Sequence, residues 1–137
     1  MSVPDVLFVC VHNAGRSRMA EVLFNREAAG RYTAASAGTQ PADRAHPEVV
    51  AALAEVGIDV DDGPGRLLEP ELAEAAGRII SMGCDVEEAC PATTAPMDDW
   101  DLDDPKGQPI ERVREIRDDI ADRVRALVAG LDDTRGY

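Results

Sequence analysis

Cys10 and Arg16 stand six positions apart in the segment Cys10-Val11-His12-Asn13-Ala14-Gly15-Arg16-Ser17, between a run of apolar residues and a run with helical spacing. A Cys-x5-Arg-Ser loop joining a strand to a helix can wrap its backbone N–H groups around a tetrahedral anion, with the helix N-terminus adding a favourable field. His12, Asn13, Ala14, Gly15, Arg16 and Ser17 are therefore the expected oxyanion-binding residues. Arg16 suits two oxygens of phosphate or arsenate through its planar fork and stays charged when desolvated. The same positive field favours the nucleophilic thiolate of Cys10, Ser17 can donate a hydrogen bond to that sulfur, and Asn13 can brace a loop with unusual backbone angles. A cysteine ending a buried strand is ordinarily core, and a Cys followed six residues later by Arg is common. The strand before, the helix after and the glycine within favour the chemical reading.

The elements that would position this loop can be read from the pattern around it. Val6 to Val11 is a continuous apolar run with β-branched and aromatic members, as expected of a strand buried on both faces. Met19, Ala20, Val22, Leu23 and Phe24 recur at helical spacing after Ser17. Tyr32 to Ala37 reads as a second strand, Pro47 to Val56 as a helix ended by Gly57, Pro70 to Ala76 as a short helix, and Arg78 to Met82 as a buried strand ending at Gly83. No period holds between Cys84 and Gly107. A long helix from about Pro109 to Leu131 carries Ile110, Val113, Ile116, Ile120, Val124, Leu127 and Leu131 on one stripe. Strands alternating with helices favour a parallel sheet covered on both faces, with ligands beyond the carboxyl ends of its strands, where Cys10 and Cys84 both fall.

The 137 residues suit one domain, 1–137, with no internal repeat or dividing linker. A net charge of −13 and a pI near 4.4 oppose general binding to nucleic acid or an anionic membrane. Any anion site must be local, and Arg16, Arg18, Arg26 and Arg31 fall in a stretch whose only carboxylates are Glu21 and Glu27. The apolar segment near the N-terminus is too short for a signal core or a membrane span, so a cytoplasmic protein is expected. Three cysteines fit a reactive thiol better than a structural disulfide framework. A zinc site at Cys84 and Cys90 lacks nearby histidines, and no metal ligand set is assigned. His12 and His46 are read as shaping a loop and a helix entrance.

The segment Val9-Cys10-Val11-His12-Asn13-Ala14-Gly15-Arg16-Ser17-Arg18-Met19-Ala20-Glu21 resembles the active-site segment of the thioredoxin-coupled arsenate reductases, themselves similar to low-molecular-weight tyrosine phosphatases. Ser36-Ala37-Gly38-Thr39, Met82-Gly83-Cys84 and Trp100 followed by Asp103-Asp104-Pro105 extend the resemblance over nearly the whole chain. It implies an α/β fold with a central four-stranded parallel sheet flanked by helices. It implies that Asp104, before Pro105, is the general acid, with Asp103 as the alternative, and that Trp100 packs to anchor the acid loop. It also implies a cysteine relay. Cys10 forms a covalent arsenic adduct, Cys84 attacks the Cys10 sulfur to release arsenite, and Cys90 takes over the disulfide. Thioredoxin, or a mycothiol- or glutaredoxin-type reductant, then reduces the Cys84–Cys90 bridge as a co-substrate, with no tightly bound cofactor. For some members the resemblance implies a potassium site to which Asn13 and Glu21 contribute. A monomer is expected.

Five residues separate Cys84 from Cys90. On a helix their Cα atoms would lie roughly 9 Å apart, beyond the roughly 7 Å limit for a disulfide, so the segment must loop or unwind on oxidation. The competing reading is a low-molecular-weight protein tyrosine phosphatase hydrolysing aryl phosphates through a Cys10 phosphocysteine. Lys106-Gly107-Gln108 follows Asp104-Pro105 where many such phosphatases carry an aromatic pair. A non-enzymatic oxyanion-binding regulator would leave Arg16 and Asp104 without a purpose.

Overall fold

The computed structural model describes residues 4–10, 13, 15–38, 40–60, 63–82, 97–100, 102–103 and 105–135. Four parallel strands, β1 (Val6–Cys10), β2 (Ala34–Gly38), β3 (Arg78–Ser81) and β4 (Met97–Asp99), form one sheet in the order β2-β1-β3-β4. The helices are α1 (Arg16–Ala28), α2 (Pro47–Ala54), α3 (Pro70–Ala75) and α4 (Ile110–Arg135). The chain leaves β1 toward β2 on one side and later returns to β3 on the other. The carboxyl end of β1 is therefore the point where strand order reverses, where open α/β sheets form their ligand crevice. Cys10 is its last residue.

All five β1 residues are buried, and alternation sends their side chains into two cores. Val6, Phe8 and Cys10 join Met19, Leu23, Phe24, Leu53, Ile116 and Ile120 under α1, α2 and α4, whereas Leu7 and Val9 join Ala37, Leu68, Ala73 and Ile79 beside α3. A β1 apolar on both faces is thus what a sheet covered on both sides requires. Phe8 meets Phe24 edge-on at 6.0 Å and Trp100 at 5.6 Å, which gives Trp100 the packing role expected of it. Phe8 and Phe24 are fully buried, and each contributes about 1.5–3 kcal/mol.

The long helix α4 runs past the expected Leu131 to Arg135, and its apolar stripe is buried at Val113, Ile116, Ile120, Val124 and Val128. Three strand expectations shift, and the simplest is β3, which ends at Ser81 rather than Met82. The second strand begins at Ala34 because Tyr32 is drawn off it, buried with its hydroxyl donated to Asp132 at 2.8 Å. The apolar run of β1 ends at Cys10, and Val11 lies outside the described residues. Among the described residues no helix is long and apolar enough to cross a membrane.

Glu55, just after α2, ties that helix to α4. Arg114 donates to both of its carboxylate oxygens, and the buried Arg117 donates to Oε1 at 3.0 Å and to the Ala52 carbonyl at 2.8 Å. The hydrogen bonds from Arg114, then those from Arg117, hold the Glu55 carboxyl below its ordinary value of 4.5. Asp132 is likewise lowered, by Tyr32 first and Arg31 second. A depressed carboxyl contributes stability that is complete above its unfolded-state value and is lost as pH falls through the folded one. Urea midpoints measured from pH 7 downward are therefore expected to fall less steeply below about pH 4.5 for Glu55→Gln than for the wild type. The variant is weaker at neutral pH, and the two curves converge in acid. Parallel curves would mean that Glu55 does not contribute through its charge.

Candidate active site

Cys10 is a buried residue, 3% exposed, and sits at the head of α1 as a free thiol. Asn13 has φ of +50°, a left-handed conformation that asparagine tolerates better than most residues, and this aims its N–H at the Cys10 sulfur, 3.2 Å away. The Ser17 hydroxyl lies 2.9 Å from the same sulfur. Proton placement follows from a donor that has no alternative. The Arg66 backbone N–H meets Asn13 Oδ1 at 2.8 Å, so the Asn13 amide nitrogen faces Ser17 Oγ, also at 2.8 Å. Ser17 accepts that bond and retains its own proton for the sulfur. Two donors thus converge on the Cys10 sulfur.

The surroundings sharpen the positive field. Helix α1 has no acidic residue in its first turn, and Gly15 at its N-cap makes no side-chain capping bond, so the helix N-terminus faces the loop unopposed. Arg16, the first residue of α1, donates from Nη1 to the Leu102 carbonyl at 3.0 Å, which draws the loop before α4 up to the anion loop. The guanidinium carries five N–H donors in a planar fork. Gly15 is required by close approach, since a Cβ there would stand 3.0 Å from Pro105 and 3.1 Å from the His46 ring. The buried Pro105 and the His46 ring edge therefore close against the Gly15 backbone. Arg18 of α1 donates to the Gly63 carbonyl at 2.7 Å, fixing the segment whose Arg66 N–H holds Asn13.

Of the residues singled out in the sequence, Cys10, Asn13, Gly15, Arg16 and Ser17 come together here. His12, Ala14, Cys84, Cys90 and Asp104 lie outside the described residues. Asp103, the alternative acid, is exposed and ion-paired with Arg112 of α4, so its carboxylate is committed to the surface of the loop. His46 occupies the N-cap position of α2, the helix entrance expected of it. The Leu102 carbonyl, Pro105 and the Arg66 N–H were not foreseen. Two act through backbone atoms, which carry no side-chain signal in a sequence, and Pro105 acts through a contact ninety positions from Gly15.

Behind the loop, Asn13, Arg18, Glu21, Ser36, Asp59 and Arg66 are among the residues lining a cavity of about 310 Å³, where Ser36 donates to Glu21. Its oxygens suit a hard cation, whereas its two arginines bring positive charge. Among the described residues no three His, Cys, Asp or Glu side chains gather as a metal site.

The chain is 43% identical over 122 residues to a putative arsenate reductase of Halobacterium salinarum, covering 85% of each. It is 36% identical to the glutaredoxin arsenate reductase of Synechocystis over 92% of this chain and 97% of that one. A solved thioredoxin-dependent arsenate reductase of Corynebacterium glutamicum superposes with a TM-score of 0.82 at 34% identity, covering 97% of this chain, which spans 64% of the length of that one. The model of the low molecular weight phosphotyrosine protein phosphatase family matches residues 5–135, and with the fold and the Cys10–Arg16 loop in agreement, the chain belongs to that family.

Proposed function

We propose that this chain reduces arsenate to arsenite by a relay of its three cysteines, Cys10, Cys84 and Cys90. The observation that carries the chemistry is the Cys10 sulfur, which receives the Asn13 N–H at 3.2 Å and lies 2.9 Å from the Ser17 hydroxyl, at an uncapped helix N-terminus beside Arg16. This arrangement serves a phosphatase equally well. Similarity to the Halobacterium and Synechocystis proteins, both bearing the name arsenate reductase, favours reduction.

Arsenate binds with its oxygens against the backbone N–H groups of residues 12–17 and the Arg16 fork. The Cys10 thiolate attacks arsenic, and an arsenate oxygen departs as water after Asp104 supplies a proton, leaving a cysteinyl–arsenic(V) adduct. Cys84 thiolate then attacks the Cys10 sulfur. The sulfur–arsenic bond breaks, its electron pair stays on arsenic, and arsenite leaves as a Cys10–Cys84 disulfide forms. Cys90 thiolate attacks Cys84, frees Cys10 as a thiolate and completes a Cys84–Cys90 disulfide. A cellular dithiol supplies the two electrons that reopen it, and thioredoxin at about −270 mV or a glutaredoxin at about −200 to −230 mV both act in the required direction in a reducing cytoplasm. Exchange through a thiolate requires the Cys84–Cys90 segment to loop, because a helix would hold the pair roughly 9 Å apart.

Cys90→Ser tests the order of the relay. This variant is expected to release about one arsenite per chain and then stop, with the Cys10–Cys84 disulfide trapped, as read by arsenite quantification and thiol counting. Continuous turnover of Cys90→Ser with thioredoxin would contradict the order given.

A further inference from the structure

We propose that Arg112 and Glu48 are positioning residues for the acid step, holding the loop before α4 from its outer side on both flanks of Asp104. The inference rests on the reading above, in which Asp104 protonates the departing oxygen. The loop has two kinds of anchor. On its inner side the Leu102 carbonyl accepts from Arg16 and Pro105 packs against Gly15, so these contacts belong to the oxyanion site itself. The outer anchors come from the first turns of helices α4 and α2. Arg112, in the first turn of α4, pairs with the Asp103 carboxylate and is itself oriented by Glu115 at 2.8 Å. Glu48, in the first turn of α2, accepts the Gly107 N–H at 3.3 Å.

Asp103 and Gly107 bracket the acid in sequence, one position before it and three after. Gly107 has φ of +73°, a conformation that points its N–H at Glu48 and that other residues adopt with strain. Across Gly107 the Gln108 N–H bonds the Pro105 carbonyl at 3.1 Å, which closes the turn that carries the second anchor. An acid must lie within hydrogen-bond reach of the oxygen it protonates, and a small misplacement lowers the rate without changing how tightly the oxyanion binds. The outer anchors therefore act on the chemical step and not on affinity. Both are solvent-exposed contacts, so each is worth a rate factor of no more than about fivefold and the ion pair weakens with salt.

The experiment is single-turnover arsenite formation, enzyme in excess, in wild type, Arg112→Gln, Arg112→Lys and Glu48→Gln, each also in an Asp104→Asn background. The expected result is that Arg112→Gln and Glu48→Gln slow the step about three- to fivefold. The half-saturating arsenate concentration and the melting temperature stay unchanged, and Arg112→Lys is close to wild type. Added salt slows the wild type and not Arg112→Gln. In the Asp104→Asn background the outer substitutions add nothing. Equal slowing in both backgrounds, a shifted arsenate dependence, or no slowing would overturn the proposal. A wild type that forms no arsenite contradicts the reductase reading instead. The same variants are then assayed on phenyl phosphate, whose poor leaving group needs the acid, and the same pattern is required there. Inertness toward both substrates would overturn the tether together with the acid step.

Discussion

Cys10→Ser is expected to abolish arsenate reduction, lowering the rate at least about 10⁴-fold, as loss of the nucleophile does in enzymes that work through covalent intermediates. The substitution exchanges sulfur for oxygen and leaves the Asn13 N–H and the Ser17 hydroxyl in place around it. The anion cradle therefore remains. What disappears is the sulfur nucleophile, and with it the proposed electron relay, because an oxygen cannot enter a disulfide. The measurement pairs arsenite release with calorimetric binding of phosphate to the same protein. The expected result is near-normal phosphate binding with no arsenite. Residual arsenite from the variant would mean that another thiol attacks arsenic first.

Arg16→Lys, a change that keeps the charge, is expected to lower kcat/KM by about 10²- to 10³-fold, the scale for removing one oriented oxyanion donor. The guanidinium holds the Leu102 carbonyl at 3.0 Å and, in the proposed mechanism, uses its planar fork on the anion as well. A lysine ammonium is a point charge that cannot do both in one geometry. Steady-state kinetics on arsenate checks this. A loss under tenfold would show that charge alone suffices and that the link to the Leu102 carbonyl is incidental.

What could be read from the sequence was the part built from neighbouring residues. Cys10, Asn13, Gly15, Arg16 and Ser17 lie within one loop and the start of one helix, so their spacing already sets their relation to one another. The same holds for β1, whose unbroken apolar run reflects two covered faces. Strand β4 gave no signal of its own. It is three residues long, two of them aspartates, at the edge of the sheet, and it exists because β3 offers it a pairing partner and Ser81 bonds Asp99 at 2.7 Å. The fourth strand was expected only through the family resemblance. Asp104 was preferred to Asp103 only through the Asp-Pro pair of the family resemblance; the structure pairs Asp103 with Arg112, and Asp104 lies outside the described residues. The contacts that join the two halves of the site, Arg16 with Leu102 and Gly15 with His46 and Pro105, connect residues far apart in the chain. Such contacts follow from packing and not from any local pattern.

The most direct test of the central claim is to mix the reduced protein with thioredoxin, thioredoxin reductase and NADPH, or with glutaredoxin, glutathione, glutathione reductase and NADPH, and then add arsenate. The expected result is continuous NADPH oxidation in at least one mixture, dependent on arsenate, with one arsenite formed per NADPH consumed. No oxidation in either mixture and no arsenite, together with rapid hydrolysis of aryl phosphates, would contradict the reductase reading and assign Cys10 to a phosphatase.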